Sequence, residues 1–297
     1  MPQTTRLEWP TLALLIACYA GWALAIVWLP TISYPIAAGL AALAIALHSS
    51  LSHEAIHGHP TGSARLNEAL VWPALGLVVP YARFRDDHLA HHRDATLTDP
   101  YDDPESNYLD PAVWARLSPA ARALLRANNT LLGRITLGPA VSLALFVRGD
   151  WRAIRAGDRR IRAAWAAHLP AAAVVVAVVI AAPMPFWLYL IAAYAGHGLI
   201  KIRTFLEHQA HEHAAGRTVV IEDRGPLALL FLNNNFHLVH HMHPDLPWYR
   251  LPARYFRDPE RYLRRNRGYR FRSYGEIARA YLLRRKDDVP HPLFPIK

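Results

Sequence analysis

Seventeen histidines stand among 297 residues, and eight of them fall into three tight clusters. The first is His53-Glu54-Ala55-Ile56-His57, the second His88-Leu89-Ala90-His91-His92, the third His237-Leu238-Val239-His240-His241. On a helix, residues three and four apart share a face, so HxxxH aims two imidazoles at one point and HxxHH is expected to aim three. Neutral imidazole is a good ligand for iron, copper, nickel and zinc. Eight such ligands exceed what one four-coordinate zinc uses and suit two metals at higher coordination. The single cysteine, Cys18, excludes an internal disulfide and a Cys-ligated zinc or iron–sulfur centre.

Other metal chemistries explain fewer of these residues. The first cluster is also HExxH, in which the glutamate of a zinc protease acts as general base. That reading leaves both HxxHH clusters unused. Glu54 lies one residue after His53, so on a helix it points about 100° away from the His53/His57 face. A carboxylate di-iron bundle needs two Glu-x-x-His motifs, and only Glu54 to His57 has that spacing. A membrane protein that carries or stores metal would place polar ligands within its spans.

The elements that must position the histidines are apolar runs. Residues 11–29, 31–47, 163–182 and 184–200 contain no Asp, Glu, Lys or Arg and have about the 17–25 residues of a membrane-spanning helix. They pair as two hairpins at Pro30 and Pro183 and predict an all-α integral membrane protein, one domain with four transmembrane helices and a helical cap. The first run is too long for a signal-peptide core and reads as a retained span. The turns at Pro30 and Pro183 carry no Lys or Arg, so the positive-inside rule places both termini and all three clusters in the cytoplasm. Two shorter stretches, 69–82 with Pro73 and Pro80 and 131–147 with Arg134 and Pro139, would put the clusters on opposite faces if either crossed the membrane. Both are expected to be interfacial or re-entrant.

Cluster order and span pattern together resemble the membrane fatty acid desaturase family over roughly residues 10–255. The third cluster carries most of the likeness: Asn235-Phe236-His237-Leu238-Val239-His240-His241-Met242-His243-Pro244, followed by Leu246-Pro247-Trp248-Tyr249-Arg250-Leu251-Pro252. The resemblance implies a site of two irons with O2 as co-substrate, oxidising a lipid acyl chain. Fatty acid desaturation is the leading outcome, with hydroxylation, ketolation or hydrocarbon oxygenation as the alternative. It also implies a ninth ligand after the fourth span, in a Leu-Gln-His-like motif. Phe205-Leu206-Glu207-His208 matches it and points to His208, with His211 one turn on as its rival. Glu207 replaces the family's Gln, which leaves open whether it orients a ligand or approaches the metal. The expected ligands are thus His53, His57, His88, His91, His92, His208, His237, His240 and His241.

Electrons must come from outside the chain, which has no ferredoxin, rubredoxin, c-type haem or GxGxxG pattern. The implied partners are a ferredoxin- or cytochrome-like donor with its reductase, a lipid or acyl substrate and the membrane, which is expected to be a bacterial inner membrane. The net charge of +10 is nearly all arginine, dense at 148–162 and 250–285, and suits anionic headgroups or an acidic carrier. No nucleic-acid-binding module is present to use it. His48, His59, His197, His213 and His243 are expected to be hydrogen-bond partners or packing residues, and His168 and His291 belong to no constellation.

Overall fold

The computed structural model describes residues 7–294 and is mostly helical. In chain order the helices are α1 (Trp9–Val27), α2 (Tyr34–Ile56), α3 (Ala64–Leu70), α4 (Tyr81–His91), α5 (Pro111–Arg116), α6 (Pro119–Asn128), α7 (Leu131–Thr136), α8 (Gly138–Arg155), α9 (Arg159–Ala181), α10 (Phe186–Arg203), α11 (Pro226–Leu230), α12 (His237–Met242), α13 (Leu251–Phe256), α14 (Pro259–Arg265) and α15 (Tyr274–Tyr281). Strands β1 (Val220–Ile221) and β2 (Arg270–Phe271) form a parallel pair with Val220 opposite Arg270. The chain divides into two compact units. One runs through Arg85 and resumes over Pro139–Ile200; the other comprises Asp86–Gly138 and the residues from Lys201 onward.

The first unit contains the long apolar helices. Three of them, residues Trp9–Thr31, Tyr34–Ile56 and Arg159–Ala181, are long and apolar enough to cross a membrane. The fourth expected run forms α10, whose 18 residues include His197, Lys201 and Arg203 and fall short of the other three in apolar character. Large apolar side chains such as Ile16, Ile36, Leu169 and Ile180 are exposed along these helices, as a lipid-facing surface requires. Inside, Ala25, Ala37, Ala41, Val175 and Val179 pack with Ile45, Leu188 and Tyr189. Small residues let helix backbones approach closely. Gly196 shows how closely: a Cβ there would lie 2.8 Å from Ile45 Cγ2 and 3.0 Å from the Ala42 carbonyl oxygen.

Neither of the two shorter stretches forms a spanning helix. Residues 131–147 break at Leu137 into α7 and α8, and α8 carries Arg148, Asp150, Arg152 and Arg155. Residues 69–82 leave α3 as irregular backbone and re-enter helix only at Tyr81. Their carbonyls are met by side chains from the long helices. Tyr19 Oη donates to Leu70 O (2.8 Å), Tyr189 Oη to Leu75 O (2.8 Å), His197 Nε2 to Gly76 O (2.9 Å) and His168 Nε2 to Leu77 O (2.8 Å). Irregular backbone at membrane depth is tolerated only where protein satisfies its polar groups. His168, expected to belong to no constellation, is one of those donors.

The second unit is built of short helices around two apolar clusters. Phe205, Leu206, Val219, Ile221, Phe231, Tyr274 and Ile277 form one; Val220, Phe236, Leu238, Val239, Leu251, Tyr255 and Tyr262 form the other. The entry to α12 is pinned to β1, with Ile221 N donating to Asn235 O (2.8 Å) and Leu238 N to Val219 O (3.0 Å). Leu238 and Val239 therefore enter the apolar cluster, and the remaining face of this one-and-a-half-turn helix carries His237, His240 and His241.

Candidate metal centre

Helix α2 runs beyond the expected apolar run and carries His53 in its last turn, with His57 as its C-terminal cap. The two rings lie 4.9 Å apart between centroids. Glu54 is buried, and its carboxylate lies 3.8 Å from His53 Nδ1. It thus sits on the Nδ1 side of a neighbouring imidazole.

In the second unit the histidines of α4 and α12 sort into two groups. His91, His208, His237 and His241 converge in one, and His88, His92 and His240 in the other, each with ligand atoms within 4.8 Å of one another. In the first group Nε2 of His208 lies 2.9 Å from Nε2 of His91 and 3.0 Å from Nε2 of His237, which lies 3.2 Å from Nε2 of His241. In the second, Nε2 of His92 is 2.9 Å from that of His88 and 3.1 Å from that of His240.

This corrects the expectation that each HxxHH aims three imidazoles at one point. Positions i+3 and i+4 are displaced from i by about −60° and +40°, so they diverge from each other by about 100°. In α4 the i and i+4 residues, His88 and His92, go to one group and the i+3 residue, His91, to the other. In α12 the assignment is reversed: His237 and His241 join His91, and His240 joins His88 and His92. Each cluster thus straddles both groups.

The opposite ring nitrogens are held by side chains that spacing did not reveal. His91 Nδ1 is 2.7 Å from Asp103 Oδ1, His88 Nδ1 3.0 Å from Glu105 Oε1, and His237 Nδ1 3.1 Å from Asn234 Oδ1. These oxygens accept, so Nδ1 of each ring carries a proton and Nε2 is the nitrogen left facing inward. Asp103 is itself buried and fixed by the amides of Thr98 (2.8 Å) and Glu105 (2.9 Å). Burial, reinforced by the neighbouring imidazoles, holds His208 and His237 well below the usual histidine range, in the neutral form that binds metal. Burial also works against charge on His91, but Glu105 and Asp103 outweigh it and raise that group to about 9, so a metal taken up at its Nε2 displaces a proton.

The donor set fits a metal. Nitrogen lone pairs about 3 Å apart repel unless a proton or a metal ion lies between them, and one proton serves only one such pair. Two nitrogens bonded at about 2.1 Å and at right angles lie about 3.0 Å apart, whereas a tetrahedral pair lies about 3.4 Å apart. The observed 2.9–3.2 Å contacts match the right-angled spacing of a site with more than four ligands.

His208 does not lie on a helix. Helix α10 ends at Arg203, and His208 is bridged to Thr218, with Val219 N donating to Glu207 O (3.1 Å). His211 is therefore not one helical turn on; its Nδ1 contacts the backbone of His213, and it is outside both groups. Glu207 is buried, with Oε1 3.1 Å from Arg203 Nε and 3.7 Å from His237 Nδ1. It stands behind the ring, on the face away from the converging Nε2 atoms. Burial raises its pKa, opposed by Arg203. Of the remaining histidines, His48 meets Tyr19 Oη (3.2 Å), His59 meets Glu8 (2.8 Å) and His291 meets Thr98 (3.2 Å).

A beta-carotene ketolase from a Paracoccus species is 24% identical over 222 residues, covering 71% of this chain and 72% of the ketolase. The fatty acid desaturase family model matches residues 26–273, a stretch that contains all nine of the expected histidines. The chain belongs to the fatty acid desaturase family.

Proposed function

We propose that this protein oxidises a lipid chain with O2 at a pair of iron ions, and that the leading reaction is desaturation of a fatty acyl chain. The observation that carries the reading is the division of α4 and α12 between two groups of convergent Nε2 atoms. His91, His208, His237 and His241 hold one iron. His88, His92 and His240 hold the other, and His53 and His57 are proposed as further ligands from their motif alone. When bound, the iron pair supplies O2 reduction and the removal of hydrogen from an unactivated methylene, which no side chain can do by acid–base chemistry.

The residues of the chain supply position and protonation state. Asp103, Glu105 and Asn234 keep the proton on Nδ1 and so keep the lone pair of each Nε2 free. Reducing O2 to two waters takes four electrons. Desaturation provides two from the two C–H bonds that become a C=C bond, and a donor provides the other two. That donor is an external ferredoxin- or cytochrome-like protein served by a reductase. Hydroxylation takes the same two external electrons but returns one oxygen atom to the carbon and one to water. The ketolase similarity favours keeping oxygen insertion as the second outcome.

The proposal includes four membrane spans, with α10 as the fourth, and a cytoplasmic helical cap bearing the histidines, in a bacterial inner membrane. Reporter fusions after residue 110 and near the C-terminus should both read cytoplasm; a periplasmic signal at residue 110 contradicts it. Lipid mass spectrometry of cells with and without the protein tests the reaction. Loss of two hydrogens from a lipid marks desaturation, and gain of one oxygen marks insertion. Unchanged lipids in iron-replete cells expressing the protein with its donor would remove the reading.

A further inference from the structure

The family match ends at residue 273, yet the chain continues through a segment that returns to the metal centre. Leu132 N donates to Leu282 O (3.0 Å), Lys286 N to Asn129 O (3.1 Å), Leu109 N to Val289 O (2.9 Å) and His291 N to Leu109 O (2.8 Å). The segment is thereby sewn to the residues around 109 and 130. Its side chains then reach the backbone that carries His208. Lys286 Nζ donates to the carbonyl of His208 at 3.1 Å, with only 5% of its side chain exposed. Asp287 accepts from Tyr108 Oη and from Asn129 Nδ2 (2.8 Å), and Tyr108 Oη in turn accepts from the amide of Ala210 (2.9 Å).

A lysine is almost never buried unless it is paired. Here the ammonium pairs with Asp287 (Oδ2 at 3.7 Å) and spends its hydrogen bond on a backbone oxygen at the one expected ligand that no helix holds. Every other expected ligand lies on, caps or directly follows α2, α4 or α12, whose repeating hydrogen bonds fix its direction. His208 sits in an irregular stretch and takes its position from outside.

We propose that residues 282–291 form a positioning strap for His208, in which Lys286 fixes the carbonyl of His208 and Asp287, through Tyr108, fixes the amide of Ala210. Lys286 is a positioning residue and touches neither metal nor substrate. The part of this inference that concerns metal rests on the two-iron reading above.

The test uses the full chain in detergent. Hydrogen–deuterium exchange of metal-free protein reports the strap directly: Lys286→Met should raise exchange over residues 205–212, and Lys286→Arg should restore protection. Metal titration reports the consequence. Lys286→Met should weaken one of two irons by about 10–100-fold, the range for groups that orient a ligand, and leave the other in place. Tyr108→Phe, which removes only the hydroxyl that receives Ala210 N–H, gives the same direction with a smaller effect and guards against a misfolded lysine variant. Unchanged exchange and unchanged iron in Lys286→Met overturn the strap. Wild-type protein that binds no metal overturns the two-iron reading, while exchange still decides the strap.

Discussion

The two histidine groups of the second unit are unequally complete. His91, His208, His237 and His241 are four imidazoles, and three of their Nδ1 atoms face Asp103, Asn234 and Thr218. His88, His92 and His240 are three, with Glu105 behind His88. A four-imidazole group is set by the packing of one unit alone. The three-imidazole group leaves more coordination positions open than the four-imidazole group does. The sequence clusters are therefore not the units of convergence: helical geometry sends i and i+4 one way and i+3 the other.

The largest test breaks each group in turn. His237→Ala removes a ligand from the four-histidine group, and His88→Ala one from the other. Each should abolish lipid oxidation and lower iron from about two per chain to about one, because imidazoles of the other group stay in place. His92→Ala, His208→Ala and His240→Ala should also be inactive. All should insert normally, since these residues lie outside the apolar runs that drive insertion. Loss of both irons in every single variant would show that the groups do not fill independently.

A smaller effect separates the supports. Asp103→Asn replaces the acceptor of His91 Nδ1–H, and Glu105→Gln that of His88. Such partners are worth about 10–100-fold in metal affinity. Asp103→Asn should weaken the four-histidine group and Glu105→Gln chiefly the three-histidine group, read by stepwise iron titration. The opposite pattern would reverse the assignment of support to group.

Much of the convergence of the histidines was legible because helical spacing is local. HxxxH and HxxHH announce a shared face wherever a helix forms, and uncharged runs announce the helices that precede them. The division of each cluster between two groups was not, since it depends on where the partner helix presents its own imidazoles. Asp103 and Glu105 were hidden for a similar reason. They lie in an acid-rich loop without periodicity, and only the folded chain brings them behind His91 and His88. His208 was reached through resemblance to a motif and not through spacing, which is consistent with its place off any helix. The fold shows the same limit: residues 69–82 read as non-spanning because the three clusters have to lie on one side of the membrane, whereas the four side chains that satisfy their carbonyls come from three other helices.

Glu54→Gln gives a milder effect and separates the desaturase reading from a zinc protease. In a protease this residue is the general base, and its loss costs about 10²–10⁴-fold. Here its carboxylate lies beside His53 Nδ1, on the outer side of a ligand ring. Glu54→Gln should therefore keep iron and retain measurable lipid oxidation, whereas His57→Ala retains none. A dead Glu54→Gln protein with normal iron would return Glu54 to an acid–base role.

The smallest expected effect on chemistry lies in the first unit and contrasts a histidine that serves backbone with those that serve metal. His168 Nε2 donates to the carbonyl of Leu77, a residue in left-handed backbone at φ 66° within the irregular stretch before α4. Its ring also packs edge-on against Trp165. His168→Ala strands that carbonyl, and a buried acceptor left without a partner costs about 1–3 kcal/mol. The loss should appear as a lower melting temperature in detergent. Iron per chain and the oxidation product should stay as in the wild type, because no expected ligand is removed. A fall in bound iron to the level of His237→Ala would mean that His168 belongs with the metal ligands after all.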